Sequence, residues 1–132
     1  MIEVNQTHDY DLVKQILTDD DIWWRISDTD KEGFVVPPEP IYLLATVLDQ
    51  PAALFVLHEE EAGYGSHFQA LPLFRRYKDK LGRAVLKKAK EYTDKLSAEI
   101  PKRFDNVKRF ALDQGYKIIN EDDENWYFER KL

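Results

Sequence analysis

The sequence predicts an α/β (α+β) domain, a mixed, mostly antiparallel sheet of about six to seven strands flanked by about four helices. Three observations carry this expectation. Apolar runs of strand length alternate with stretches of helical periodicity in the order β-α-α-β-β-β-α-β-α-β-β. The three middle strands are separated by turns too short for a crossover, so they form an antiparallel meander. Two later strand–helix–strand passages are long enough to return the chain, which makes the sheet mixed. At 132 residues, the span 1–132 is expected to be one domain around one core.

The elements follow in order. "IEVNQ" (2–6) alternates weakly and reads as a first strand. "HDYDLVKQILTDDDIWWRISD" reads as two short helices, the first with a stripe of Leu12, Val13, Ile16 and Leu17. Asp19 to Asp21 cap the second, where negative charge suits the free N–H groups, and Ile22, Trp23 and Ile26 form its apolar face. Three prolines at 37, 38 and 40 make the next stretch a connection. Strands are expected over 41–49 and 52–60 about a Gln-Pro turn, and a further strand over 64–71. A long helix is expected from about 80 to 96 through Leu81, Val85, Ala89, Tyr92 and Leu96. "SAEIP" is a brief strand. "RFDNVKRFALDQG" is an amphipathic helix through Phe104, Val107 and Ala111, ended by Gly115. "YKIIN" and "WYFERKL" close the chain as a hairpin.

Charge is unevenly distributed. Residues 71–110 carry 13 Lys/Arg against 5 Asp/Glu, whereas the whole chain has a net charge of −6. An acidic whole argues against general nucleic-acid binding, which needs clustered cations to displace counterions. A basic middle points either to one confined site for a small anion or to a solvated lysine face. The chain has no cysteine, which excludes disulfides and thiolate nucleophiles. Neither a membrane-spanning run nor a signal-peptide pattern is present, so an intracellular, cytoplasmic location and no membrane partner are expected. His8, His58 and His67 lack metal-ligand spacing, and no metal site is expected.

The element order, together with "ALPLFRRYKDKLGRAVLKKAKEY" and "FALDQGYKI", resembles the GNAT family of acyl-CoA-dependent N-acetyltransferases over essentially the full length. In that family a loop of pattern [QR]-x-x-G-x-[GA] opens the long helix, and its backbone N–H groups grip the pyrophosphate of acetyl-CoA. The resemblance implies acetyl-CoA as cofactor. It places Leu71, Lys78, Lys80, Gly82, Arg83 and Ala84 at its binding loop, with the N–H groups from Lys80 to Ala84 on the pyrophosphate. Lys80 stands where the first glycine of the pattern belongs, and Tyr77 where Gln or Arg is usual. Ala111 stands four residues before Gly115, where many members carry a proton-donating tyrosine, so water would take that part.

His67, on the fourth strand, is the candidate catalytic base, since histidine titrates near neutrality; a hydrogen-bonded structural histidine is the alternative. Trp24 and Glu59 are the candidate substrate contacts, on the side where the family binds a small amine or peptide amine. "His-x-x-x-x-Pro" from His67 to Pro72 is similar to short tailed-phage members of the family. That likeness implies the second reading, a catalytically inactive phage protein with a structural, head-assembly or virion role and a phage or host protein as partner.

Overall fold

A computed structural model describes residues 1–27, 29–61 and 63–132. Its strands are β1 (Ile2–Gln6), β2 (Ile41–Val47), β3 (Gln50–Glu60), β4 (Gly63–Ala70), β5 (Lys95–Pro101), β6 (Lys117–Glu121) and β7 (Asn125–Lys131). Its α-helices are α1 (Tyr10–Leu17), α2 (Asp20–Ile26), α3 (Lys78–Ala89) and α4 (Asp105–Asp113), with a 3-10 helix over Pro72–Tyr77. The seven strands form one sheet in the order β1-β2-β3-β4-β5-β7-β6. Every neighbouring pair is antiparallel except β4–β5. The expected fold class therefore holds.

Period-two burial splits the core between the two faces of the sheet. On one face Leu43, Phe55, Leu57, Leu96 and Phe128 pack under Leu81, Val85 and Ala89 of α3. On the other, Tyr42 and Leu54 pack under Val13, Ile16 and Ile22 of the first two helices. The second of those helices is capped where the sequence predicts, and the first is capped by an aspartate as well. Asp9 accepts from the Leu12 N–H at 3.1 Å, and Asp19 accepts from the Asp21 N–H at 2.9 Å.

Two expectations about boundaries are corrected, and one element is added. The β2–β3 turn falls at Leu48 and Asp49, with φ of 50° and 65°, rather than at Gln50-Pro51. Pro51 lies inside β3 opposite Thr46, where a bulge at Ala45/Thr46 interrupts the ladder that a proline could not complete. The long helix ends at Ala89 rather than 96. Leu96 continues its spacing by coincidence; it is a fully buried residue of β5, opposite Tyr64 and Arg130. The 3-10 turn was not foreseen. Pro72 starts it at its first position, where the missing N–H costs nothing, and it runs directly into α3.

Candidate active site

The parallel pair β4–β5 is bonded only at its beginning, through Tyr64↔Leu96 and Gly65↔Ser97. Beyond those residues the strands part, and a cleft of about 310 Å³ opens between them. Alternation along the parted strands decides what faces it from each side. Ser66 and Phe68 of β4, with Ala98 and Ile100 of β5, belong to the face under α3 and α4. His67 and Gln69, with Glu99, belong to the opposite face, where Arg25 and Ile26 of α2 close the cleft. The cleft thus passes through the sheet and joins an apolar side to a polar one.

The apolar side is built by α4. Phe110 stacks on Phe68 with ring centroids 5.1 Å apart, and Ala111, buried beside it, leaves the space that a larger side chain would fill. Gln114 is 7% exposed; its Nε2 donates to the Asp79 carbonyl at 3.3 Å, and its Oε1 is buried with no partner. Gly82 faces this amide. A Cβ there would lie 2.8 Å from the Gln114 Cδ, so a larger residue must push the Gln114 amide aside.

At the floor of the cleft the Ser66 hydroxyl donates to the Ser97 carbonyl at 2.8 Å. That leaves its oxygen to accept from the Tyr116 hydroxyl at 2.9 Å. Burial pushes the Tyr116 phenol up to about 12, and the Ser66 contact only partly opposes this. The Tyr116 hydroxyl is therefore a neutral donor that pins the start of the parting between the strands.

On the polar side His58 and His67 stack at 4.9 Å with an interplanar angle of 21°. Glu60 holds His58 at 3.0 Å through one carboxylate oxygen and accepts from the Ser97 hydroxyl at 3.2 Å through the other. This arrangement lies over Gly65, the cross-strand partner of His58; a Cβ there would fall 2.3 Å from both the His58 Nε2 and the Glu60 Oε1. Packing of its ring lowers the pKa of His67, the neighbouring His58 lowers it further, and Glu60 acts in the opposite direction. The outer edge of His67 stays exposed at the cleft, so it offers a neutral ring to a ligand.

The other residues singled out in the sequence are placed as follows. Trp24 is 52% exposed beside the cleft, its ring edge on Phe104 at 5.6 Å, and the neighbouring Arg25 takes the place in the lining. Glu59 points to the α3 face, away from His67, because it shares parity with Leu57 and Phe55; Glu60 is the acid that reaches the histidines. Leu71 lies at the end of β4, its N–H on the Ala52 carbonyl, and packs in the α1–α2 core. Lys78 opens α3, with its ammonium 5.5 Å from the Phe110 ring centroid, and Lys80 is exposed two residues on in the same first turn. Ala84 is partly buried in the same helix, and Arg83 faces a separate groove with Lys87 and Arg130.

The placement of Gly82 changes the expected cradle. It lies in the second turn of α3, and an α-helix capped at Tyr77 and beginning at Lys78 commits amides from Leu81 onward to its own carbonyls. The Lys78 N–H is itself bonded to the Arg75 carbonyl of the preceding 3-10 turn. Of the amides from Lys80 to Ala84 only that of Lys80 is left outside the helical ladder, and the cations Lys78 and Lys80 stand beside it at the helix start.

A mixed sheet parted between its fourth and fifth strands, with helices meeting over the gap, is a recognisable architecture. The chain has the GNAT fold. It superimposes on the aminoglycoside acetyltransferase AAC(6')-Ib in complex with coenzyme A and kanamycin at a TM-score of 0.74 and 12% identity, covering 99% of this chain and 95% of that one. The Campylobacter jejuni N-acetyltransferase PseH in complex with acetyl coenzyme A gives 0.72 and 15%, covering 99% of each chain. An acetyltransferase of the GNAT family from Streptococcus pneumoniae gives 0.68 and 12% over the whole of both chains. No protein-family model matches the sequence, and a search of curated proteins finds no match. At this identity the likeness is one of fold.

Proposed function

We propose that this chain is an acyl-CoA-dependent N-acyltransferase that moves an acetyl group from acetyl-CoA to a small amine or peptide amine. The observation that carries the reading is the passage through the sheet between β4 and β5, apolar on one side and lined by His67 on the other. The residues present fit the cofactor's arm. The buried Gln114 Oε1 lacks a donor in a residue that lines the cleft, and an amide N–H of the pantetheine chain is a donor of the right kind. Lys78 and Lys80 supply charge for the diphosphate in place of an amide cradle, with Arg76 beside them. When bound, acetyl-CoA supplies an activated thioester.

His67 accepts the proton that the amine loses as its nitrogen bonds to the acyl carbon; its lowered pKa keeps a ring nitrogen free at neutral pH. The apolar wall of Phe68, Phe110 and Ile100 excludes water from the reacting carbon. The departing sulfur takes its proton from solvent, since Ala111 carries no acid. A cytoplasmic location, within the host if the chain is phage-encoded, belongs to the same reading; no helix among the described residues is long and apolar enough to cross a membrane.

A calorimetric titration with acetyl-CoA at low salt tests the proposal. Saturable binding is expected, weakened in Lys78→Glu/Lys80→Glu and lost when Gly82→Trp fills the cleft. No heat and no thermal shift at millimolar ligand would overturn it. A second reading, an inactive GNAT-fold phage protein in head assembly or the virion, is favoured by two features: the helical ladder that engages most amides of the expected cradle, and Ala111 in place of an acid.

A further inference from the structure

The polar mouth of the cleft carries two opposite charges that do not pair with each other. Arg25 comes from the last turn of α2 and lines the cleft with His67, Gln69 and Glu99. Its position is fixed from several sides. Trp23 anchors the helix by donating to the Thr29 carbonyl at 2.7 Å, and Arg75 holds Asp21 at 3.1 Å. The guanidinium carbon sits 5.2 Å from the Trp24 ring centroid, and Trp24 is braced in turn by Phe104. The Arg25 Nε is buried without a hydrogen-bond partner among the described residues. A buried guanidinium donor left unpaired is costly, and its planar fork matches a carboxylate. Across the parted strands, the Glu99 carboxylate is exposed in the same cleft.

We propose that Arg25 and Glu99 select an acceptor that carries a carboxylate as well as its amine, the chemistry of a free amino acid. This rests on the transferase reading of the cleft. The carboxylate docks on the Arg25 guanidinium. The ammonium is drawn to Glu99, loses one proton to solvent to become the free amine, and gives the second to His67 as its nitrogen bonds to the acyl carbon. The charged and titratable groups around that histidine are His58 and Glu60 from β3, Glu99 from β5 and Arg25 from α2. Arg25 disfavours a second cation on the acceptor, so diamines are poor ligands.

The test uses the full chain without acetyl-CoA and follows the side-chain NMR signals of His67 and the arginine Nε–H groups. Three matched sets are titrated: alanine, alaninamide and ethylamine; phenylalanine, phenylalaninamide and phenethylamine; lysine, lysinamide and cadaverine. At least one amino acid is expected to bind saturably, with its amide and decarboxylated amine weaker by about tenfold or more. Arg25→Gln should bring that ratio close to one, and Glu99→Gln should weaken the amino acid while leaving its N-acetyl derivative unaffected. Amides or amines that bind as tightly as the amino acids would overturn the proposal, as would silence from all three sets. Acetyl-CoA calorimetry is read separately: its failure alongside amino-acid binding sinks the transferase reading and leaves the Arg25–Glu99 subsite standing.

Discussion

His67 and His58 present their rings to each other across neighbouring strands, so His58 opposes protonation of His67. The pKa of His67 lies below its ordinary value of 6.5, chiefly because the ring is packed and then because of His58. A group depressed in this way gives stability that is present above its unfolded value and lost as pH falls through its folded one. Activity should therefore hold at neutral pH and decline only below 6.5. His58→Gln leaves Glu60 as the neighbour that favours the proton, so the His67 pKa should rise, read by proton NMR, and the acid limb should move with it. His67→Gln should lower kcat by roughly a hundredfold or more with little change in melting temperature. Of these side chains only His67 was legible in the sequence as a site. His58, Glu60 and Gly65 act together because the β3–β4 register lays them over one another, and no local spacing shows that.

At the scale of elements, α3 and α4 meet through a glycine and an amide. Gly82→Leu must displace Gln114, breaking its bond to the Asp79 carbonyl and filling the cleft. A loss of about 2 kcal/mol in chemical denaturation is expected, with acetyl-CoA binding abolished. The β2–β3 turn offers a change of opposite sign. Leu48 and Asp49 both adopt positive φ, a geometry that suits Asn-Gly and strains a leucine. Leu48→Asn with Asp49→Gly should stabilise the protein by about 1 kcal/mol, seen as a raised melting temperature. Most elements were legible because their apolar periods differ, 3.6 for helices and 2 for strands. The end of α3 was not, since Leu96 satisfies the helical period and the sheet alike. The 3-10 turn was not legible because its short run, Pro72 to Tyr77, matches a loop as well as a helix.

For the whole molecule, two measurements report on how the parts combine. Tyr116 is raised from its ordinary value near 10 to about 12 by burial. Its stabilising effect is complete below pH 10 and disappears as pH rises through 12, a loss of about 3 kcal/mol. Denaturant titrations across that range should show the slope, and Tyr116→Phe should remove it. Acetyl-CoA affinity should fall as salt rises, because Lys78 and Lys80 are exposed and screened, and calorimetry at two ionic strengths reads this directly. By itself the sequence determined the element order, the mixed sheet and the position of its basic middle, since these follow from hydrophobic period, turn chemistry and local charge. The tertiary structure decided which residues share the cleft. Arg25, Ser66, Glu99, Gln114 and Tyr116 come from five separate elements or their ends, and they meet only because β4 and β5 part after two paired residues. That parting is set by long-range packing and strand register, which have no signature within any one stretch of chain.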